Sequence, residues 1–171
     1  MEKAVVISRF LKNKEIEALT ADIYSFPNLV YVGVNVWKKQ KAYVTEVNRQ
    51  FAGVLVAYEF GDWVKLGPLV ILKKYQKKGL SKILLKNVIS KYKNKNITIN
   101  TTNPYIEKIA LEYGFKKVPN YFFLPMPVKK FLIGHLLNYS GIKNIAEAIR
   151  KALFMPRGKR KYFIRLFPLT K

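Results

Sequence analysis

The sequence predicts one domain of the α/β (α+β) class, built on a mixed, mostly antiparallel twisted sheet, and three observations carry that expectation. First, KAYVTEV, FAGVLVAYEF and DWVKLGPLVIL, over 41–47, 51–60 and 62–72, are apolar or alternating runs parted by the turn signals NRQ and GD, which reads as an antiparallel meander. Second, residues 62–114 run in the order strand, basic turn, helix, strand, helix, and a right-handed crossover makes the two strands of such a unit parallel neighbours. Third, 171 residues at 50% hydrophobic content suffice for one compact core with a small appendage, and not for two full domains.

Taken in order, KAVVIS at 3–8 is a short strand, and NKEIEALTADIYSF at 13–26 sets Ile16, Leu19, Ile23 and Phe26 at helical spacing until Pro27 ends it. The third strand of the meander holds Gly67 and Pro68. Proline lacks the amide that a central ladder needs, so the pair marks a bulge, a parting of this strand from its neighbour, or an edge. LKKYQKKGLSKILLKNVI, 72–89, then passes from a lysine-rich turn around Gly79 into a helix whose apolar face is Ile83, Leu84, Leu85, Val88, Ile89 and Tyr92, with Lys82 and Lys86 opposite. NITINTTN at 96–103 alternates as a strand. PYIEKIALEYGF follows as a helix, opened by Asn103 and Pro104 and closed at Gly114. NYFFLPMPV, 120–128, reads as a further strand interrupted by Pro125 and Pro127, and KKFLIGHLLNYS and IKNIAEAIRKALF as two helices. The second of these carries Ile142, Ile145, Ala146, Ile149 and Leu153 on one stripe. PRGKRKYFIRLFPL closes the chain as a basic turn running into a strand with Tyr162, Ile164 and Leu166 alternating.

Composition narrows the chemistry. With no cysteine and His135 as the sole histidine, disulfides, thiolate catalysis and zinc clusters drop out, and no metal site is expected. No apolar run reaches transmembrane length, and the start MEKAVVISRFLKNKEIEAL turns charged too soon for a signal peptide, so a soluble, cytoplasmic protein is expected. The net charge of +22 is uneven: ten lysines and no acid lie between Asp62 and Glu107, and thirteen basic residues against Glu147 alone follow Phe115. Such a field attracts phosphate-rich ligands, nucleic acid or acidic surfaces, while lysine-driven solubility is the plainer reading.

A glycine turn leading from a strand into a helix presents unpaired amides at the positive end of the helix dipole, a seat for phosphate. The pattern GxxxxGK[ST] is absent because no glycine stands five residues before Gly79, and no GxGxxG occurs, which removes the P-loop and Rossmann alternatives. LGPLVILKKYQKKGLSKILL followed by TTNPYIEKIALEYGFKKV resembles the Gcn5-related N-acetyltransferase (GNAT) family. The family signature Gln/Arg-x-x-Gly-x-Gly/Ala stands here as Gln76, Lys77, Lys78, Gly79, Leu80 and Ser81, with serine at the last position. A second signature, an asparagine and then a helix ending in Gly-Phe, stands as Asn103 through Gly114 and Phe115. The resemblance covers roughly residues 1–130, best from Leu66 to Val118, and leaves 131–171 as a basic extension of helices and a strand packed on the same domain.

The resemblance implies a sheet with a splayed central strand pair and helices on both faces, with acetyl-CoA as the cofactor. Its pyrophosphate would rest on the turn Lys77–Ser81, with Gln76 and Lys82 flanking, and its pantetheine arm would pair with Leu69, Val70 and Ile71 while Asn103 bonds the arm or a linked water. Acetyl transfer to an amine further needs a neutral amine, an oxyanion donor and an acid for the departing thiolate. The family's usual tyrosine falls on Ala110 and its frequent glutamate base on Lys65, so no catalytic residue is assigned; Tyr113 is a weak candidate for the acid, and its plainer role is in the core. The expected function is acetyl transfer to a primary amine on an anionic or nucleic-acid-borne acceptor. The alternatives are a catalytically impaired relative that keeps CoA as a sensor or scaffold, and a nucleic-acid-binding module. In the tail, Arg157, Lys159, Arg160, Lys161 and Arg165 interleave with Tyr162 and Phe163, a pattern that grips RNA or an acidic protein, or simply a solvated turn before a packed strand. The helix over 143–154 is basic and amphipathic as well, and Glu147 and the lack of bulky aromatics on its stripe speak against its lying on an acidic membrane.

Overall fold

The computed structural model describes residues 4–139, 141–155 and 159–167. Its strands are β1 (Ala4–Arg9), β2 (Ala42–Val47), β3 (Gln50–Phe60), β4 (Trp63–Ile71), β5 (Asn96–Thr101), β6 (Lys116–Val118) and β7 (Lys161–Arg165). The helices are α1 (Asn13–Ile23), α2 (Val34–Lys38), α3 (Leu80–Lys91), α4 (Pro104–Glu112), α5 (Met126–Tyr139) and α6 (Ile142–Phe154). The strands join in one mixed sheet in the order β1-β2-β3-β4-β5-β7-β6, with helices on both faces. Neighbours are antiparallel except β4 and β5, whose parallel register joins the two ends of the expected crossover.

The three strands of the meander form where the turn residues predict, with Asn48, Arg49 and Gly61 at positive φ in the two connections. The structure resolves the ambiguity of Gly67 and Pro68: β4 is central, and the register against β3 shifts between Leu55 and Ala57, opposite this pair. On its other side, β4 pairs with β5 only from Trp63 to Leu66 and then leaves it. Beyond the parting, β3 and β4 approach so closely that a Cβ on Gly53 would lie 2.5 Å from Ile71 Cδ1 and 2.7 Å from Val70 O. Only glycine fits there, and β4 therefore follows β3 when it separates from β5.

The main core gathers Ile16, Leu19 and Ile23 of α1, Trp37 of α2, Leu84, Leu85 and Val88 of α3, and Ile106 and Ile109 of α4 against β2–β5. A second cluster, Trp63, Val118, Leu124 and Val128 with Tyr162 and Ile164 packed on it, lies around the start of α5. β7 serves both, since Phe163 is fully buried in the main core while Tyr162 and Ile164 turn to the second. Leu166, expected to alternate inward with them, is exposed.

Three further expectations are corrected. NYFFLPMPV is no strand: a single 3-10 turn at Tyr121–Phe123, capped by Asn120 Oδ1 accepting from Phe122 N at 2.9 Å, leads into α5. Pro127 sits in the first turn of α5, where a missing amide costs nothing. Ile83 faces solvent, and the buried face of α3 is Leu80, Leu84, Leu85, Val88 and Ile89. α6 is turned inside out. Its stripe Ile142, Ile145, Ile149 and Leu153 is exposed, while Asn144, Glu147 and Lys151 are buried.

The cause lies in the segment after α1. Lys151 Nζ donates to the carbonyls of Ile23, Phe26 and Leu29 and pairs with Glu147 at 3.1 Å, so a single ammonium gathers the carbonyls that converge where α1 ends. Asn144 Oδ1 adds a bond from Gly33 N at 3.1 Å. Among the described residues no helix is long and apolar enough to cross a membrane.

Candidate active-site cleft

The parting of β4 from β5 opens a cleft of about 820 Å³. Its lining follows Lys65–Ile71 of β4, continues through Gln76, Lys77, Gly79, Leu80 and Ser81 of the lysine-rich turn, and returns along Ile99–Asn103 and Tyr105. Phe26–Tyr31, Tyr75, Ala148 of α6 and Arg160 also line it, with Leu55, Leu85 and Ile106. One cavity thus brings together Leu69, Val70, Ile71, Gln76, Lys77, Gly79, Leu80, Ser81 and Asn103, while Lys78, Lys82 and Tyr113 are not among its lining residues.

The approach to the turn is held at two points. Gln76 Nε2 donates to Ile71 O at 3.1 Å, tying the turn to the end of β4, and Lys73 N donates to Asp22 Oδ2 at 2.7 Å. Lys77 and Gly79 take positive φ of 63° and 74°, so the chain reverses just before α3 begins. The first helical bonds run from Lys82 N and Ile83 N to Gly79 O, which leaves the amides of Leu80 and Ser81 without a partner within the helix. Nothing lies within 4 Å of a Cβ built on Gly79, so the glycine answers to backbone conformation and keeps the space above the turn open. These amides, at the positive end of a 12-residue helix, face a cavity with lysines around it.

The lysines divide in their roles. Lys82 pairs with Glu112 at 2.7 Å, and this carboxylate holds its ammonium above the ordinary range. Lys74 and Lys78 lie over the ring of Tyr75 at 4.9 and 5.8 Å. Asn103 caps α4 through Oδ1, which accepts from Tyr105 N at 2.9 Å, so its amide nitrogen is the group left to serve as a donor. Its own backbone amide donates to Thr101 Oγ1 at 3.0 Å.

At the parting point stands Lys65, 4% exposed, with Nζ donating to Gly67 O at 3.1 Å and lying 5.2 Å from the centre of the Tyr58 ring. Burial, with a smaller push from the Arg160 charge, lowers its pKa to about 8. Behind Tyr58, His135 stacks on Phe131 at 5.4 Å and meets Tyr58 edge-on at 4.6 Å; burial and Lys65 lower its pKa to about 4. Ala110, where the resemblance expects a tyrosine, is buried in the main core. Tyr113 packs against the same core at the end of α4.

Three cleft residues escaped the sequence reading of the site. Tyr31 comes from an irregular stretch with no periodicity, its hydroxyl pKa raised by burial. Tyr105 opens α4 as an exposed aromatic that the helix pattern treats as surface. Arg160, assigned by sequence to the basic tail, lines the cleft ahead of β7. Lys159 is exposed, Lys161 pairs with Glu107, and Arg157 lies outside the described residues.

A model of the acetyltransferase (GNAT) domain matches residues 30–123. Comparison with solved structures finds N-acetylglutamate synthase from Neisseria gonorrhoeae, complexed with coenzyme A and N-acetyl-glutamate, at TM-score 0.62 and 16% identity, covering 98% of this chain and 36% of that one. The ribosomal-protein-S18-alanine N-acetyltransferase from Escherichia coli matches at TM-score 0.61 and 11% identity, covering 98% and 97% of the two chains. An acetyltransferase of the GNAT family from Staphylococcus aureus Mu50 matches at 0.56 and 13%, covering 96% and 100%. At these identities the likeness shows a shared fold, and the chain spans about a third of the length of the first of these neighbours. A search of curated proteins returned no match. With more than half of the sequence matched by the domain model and the parted strands, turn and capped helix in place, the chain belongs to the GNAT acetyltransferase family.

Proposed function

We propose that the protein is an acetyl-CoA-dependent N-acetyltransferase acting on a primary amine borne by an anionic or nucleic-acid acceptor. The observation that carries the proposal is the continuity of one cleft from the parted edge of β4 to the Gly79 turn at the start of α3. The residues present suit the cofactor. Open space above Gly79, helix amides without intrahelical partners and a surrounding lysine field suit a pyrophosphate, and the edge of β4 beyond Leu66, free of β5, suits an extended amide-bearing arm. In this reading Leu69, Val70 and Ile71 hold the arm, Lys77–Ser81 the pyrophosphate, and Asn103 donates from its amide nitrogen. Residues 1–130 then form the acetyltransferase domain, and the extension 131–171 adds Ala148 and Arg160 to the same cleft.

Transfer forms a C–N bond and breaks the thioester C–S bond, with one proton leaving the amine and one reaching the sulfur. Ala110 has no group to give, and the hydroxyl of Tyr75 is engaged with Gln50 Oε1 at 2.8 Å. Tyr31 and Tyr105 are the remaining phenols of the lining, and either supplies a proton within the cleft. The net charge of +22 supports an acceptor of opposite sign, such as aminoacyl-tRNA, another RNA or an acidic protein. A second reading, a CoA-binding domain without catalysis, draws on Ala110 and Lys65 standing where a tyrosine and a glutamate are expected.

Calorimetric titration with acetyl-CoA, followed by incubation with labelled acetyl-CoA and total tRNA, protein extract or small amines, tests both. Low-micromolar binding with label transfer to one pool is the expected result. Absence of binding sinks both readings, and binding with no transfer to any pool selects the second.

A further inference from the structure

The described residues hold two buried lysines, and they are built differently. Lys151 has Glu147 beside it and three carbonyls around it. Lys65 has one carbonyl, Gly67 O, and the face of Tyr58, with no carboxylate in reach of its ammonium. A buried charge without a counter-charge is expensive, and a methionine of similar length would fill the space better if packing were the only demand. Unlike Lys151, Lys65 lines the cleft.

Arg160 lines the same cleft, near enough for its charge to act on both Lys65 and Tyr31. Arg160 makes no ion pair among the described residues. Among the described lining there is not one aspartate or glutamate. Six glutamates are paired elsewhere: Glu15 and Glu46 on Arg9, Glu59 on Lys95, Glu107 on Lys161, Glu112 on Lys82 and Glu147 on Arg150. Besides Lys77 of the turn, Lys65 and Arg160 thus face one cavity whose described lining carries no acid, and Lys65 is desolvated and held in place by a carbonyl. That is the electrostatic complement of an anion rather than of a bare amine.

We infer that Lys65 and Arg160 form an anion-recognition end of the cleft, which takes the carboxylate or phosphate of an amine acceptor. The inference rests on the cleft being the transfer site and specifies what the acceptor carries into it. Lys65 acts as a fixed point charge beside the parting of β4, and Arg160 as a planar fork approaching from the start of β7. A neutral amine of the same size gains neither contact and leaves the buried ammonium unpaired, so selection comes from both attraction and the penalty of mismatch.

Matched pairs of amines test this on the full chain. Glycine against glycinamide and O-phosphoethanolamine against ethanolamine are titrated calorimetrically with and without saturating CoA, in the native protein and in Lys65→Met and Arg160→Gln. Saturating CoA fills the turn, so a phosphate cannot register there. The anionic member of at least one pair is expected to bind about tenfold or more tightly than its neutral partner, with the difference falling to about twofold or less in Lys65→Met and shrinking in Arg160→Gln. The pair with the larger discrimination identifies the acceptor's anion as carboxylate or phosphate. Equal binding within both pairs, or discrimination that survives both substitutions, overturns the inference and leaves only the general field of a +22 protein. Arg160 is exposed, so its variant folds whatever happens at Lys65. If CoA itself fails to bind, the cofactor reading fails, while the titrations without CoA still decide the anion site.

Discussion

Replacing Lys65 by methionine is expected to stabilise the unliganded protein. A lysine free in the unfolded chain has a pKa of 10.5, and in the folded cleft burial brings it to about 8. At pH 7 the group is protonated in both states, and holding that proton in the fold costs about 3 kcal/mol relative to the neutral amine. Between about pH 8 and 10.5 the unfolded chain keeps a proton that the folded chain has released, so native stability rises with pH across that window. Methionine removes the cost and forfeits the bond to Gly67 O and the contact with Tyr58, together about 1–2 kcal/mol. The net gain at pH 7 is about 1–2 kcal/mol, or a rise in Tm of about 2–8 °C for a chain of this size. Thermal unfolding followed by circular dichroism at pH 7 and pH 10 measures it. The gain should fade or reverse at pH 10, where the native lysine is neutral and still donates to Gly67. A variant that loses stability at pH 7, or whose difference from native is the same at both pH values, refutes the reasoning, because either result means the ammonium is already compensated in the fold.

The remaining predictions concern the turn, α6 and His135. Gly79→Val puts a β-branched residue at φ 74° and a side chain into the open space above the turn; it is expected to weaken CoA about tenfold or more by calorimetry with the fold intact, and native affinity would remove the turn from the cofactor site. Lys151→Met leaves three carbonyls and the Glu147 carboxylate without their ammonium and is expected to cost about 3–5 kcal/mol in urea unfolding; a loss below about 1 kcal/mol would mean the surroundings re-form without it. His135, held near 4 by burial and by Lys65, is neutral in the fold while the unfolded side chain titrates near 6.5. Stability is therefore present above pH 6.5 and lost as pH falls toward 4, and His135→Phe should flatten that limb of the urea midpoint against pH.

The legible parts of this fold are those set by neighbours in sequence. Period-two alternation with Asn48, Arg49 and Gly61 in the turns specifies the meander, and Asn103, Pro104 and Gly114 mark both ends of α4 because caps act within one turn of the chain. The Gly79 turn was readable for the same reason. Residues 120–128 misled because Phe122 and Phe123 are beta-forming residues that the fold leaves exposed, while the prolines that argued for an interrupted strand serve equally at a helix start. Insertion of β7 between β5 and β6 depends on pairing across more than sixty residues, as Ile97 with Arg165, and no local pattern encodes it. Arg160 reached the cleft by the same long-range route, and Tyr31 had no periodic context to mark it. Lys65 was visible as a departure from the expected glutamate, but only burial and the absence of a nearby carboxylate give that departure a chemical meaning.

The inverted packing of α6 has a thermodynamic consequence. A helix docked by Asn144, Glu147 and Lys151, with its isoleucines already in water, uncovers little new apolar surface when it detaches. Opening of residues 142–154 should then carry a small heat-capacity change and a weak dependence on denaturant, whereas unfolding of the sheet carries large values of both. Native-state hydrogen exchange would separate the two by slope as well as by free energy. Because Ala148 belongs to the cleft wall, that part of the wall is fastened by polar contacts whose strength does not fade on cooling as hydrophobic contacts do, and it keeps its shape at low temperature for a different physical reason than the sheet that carries the cleft.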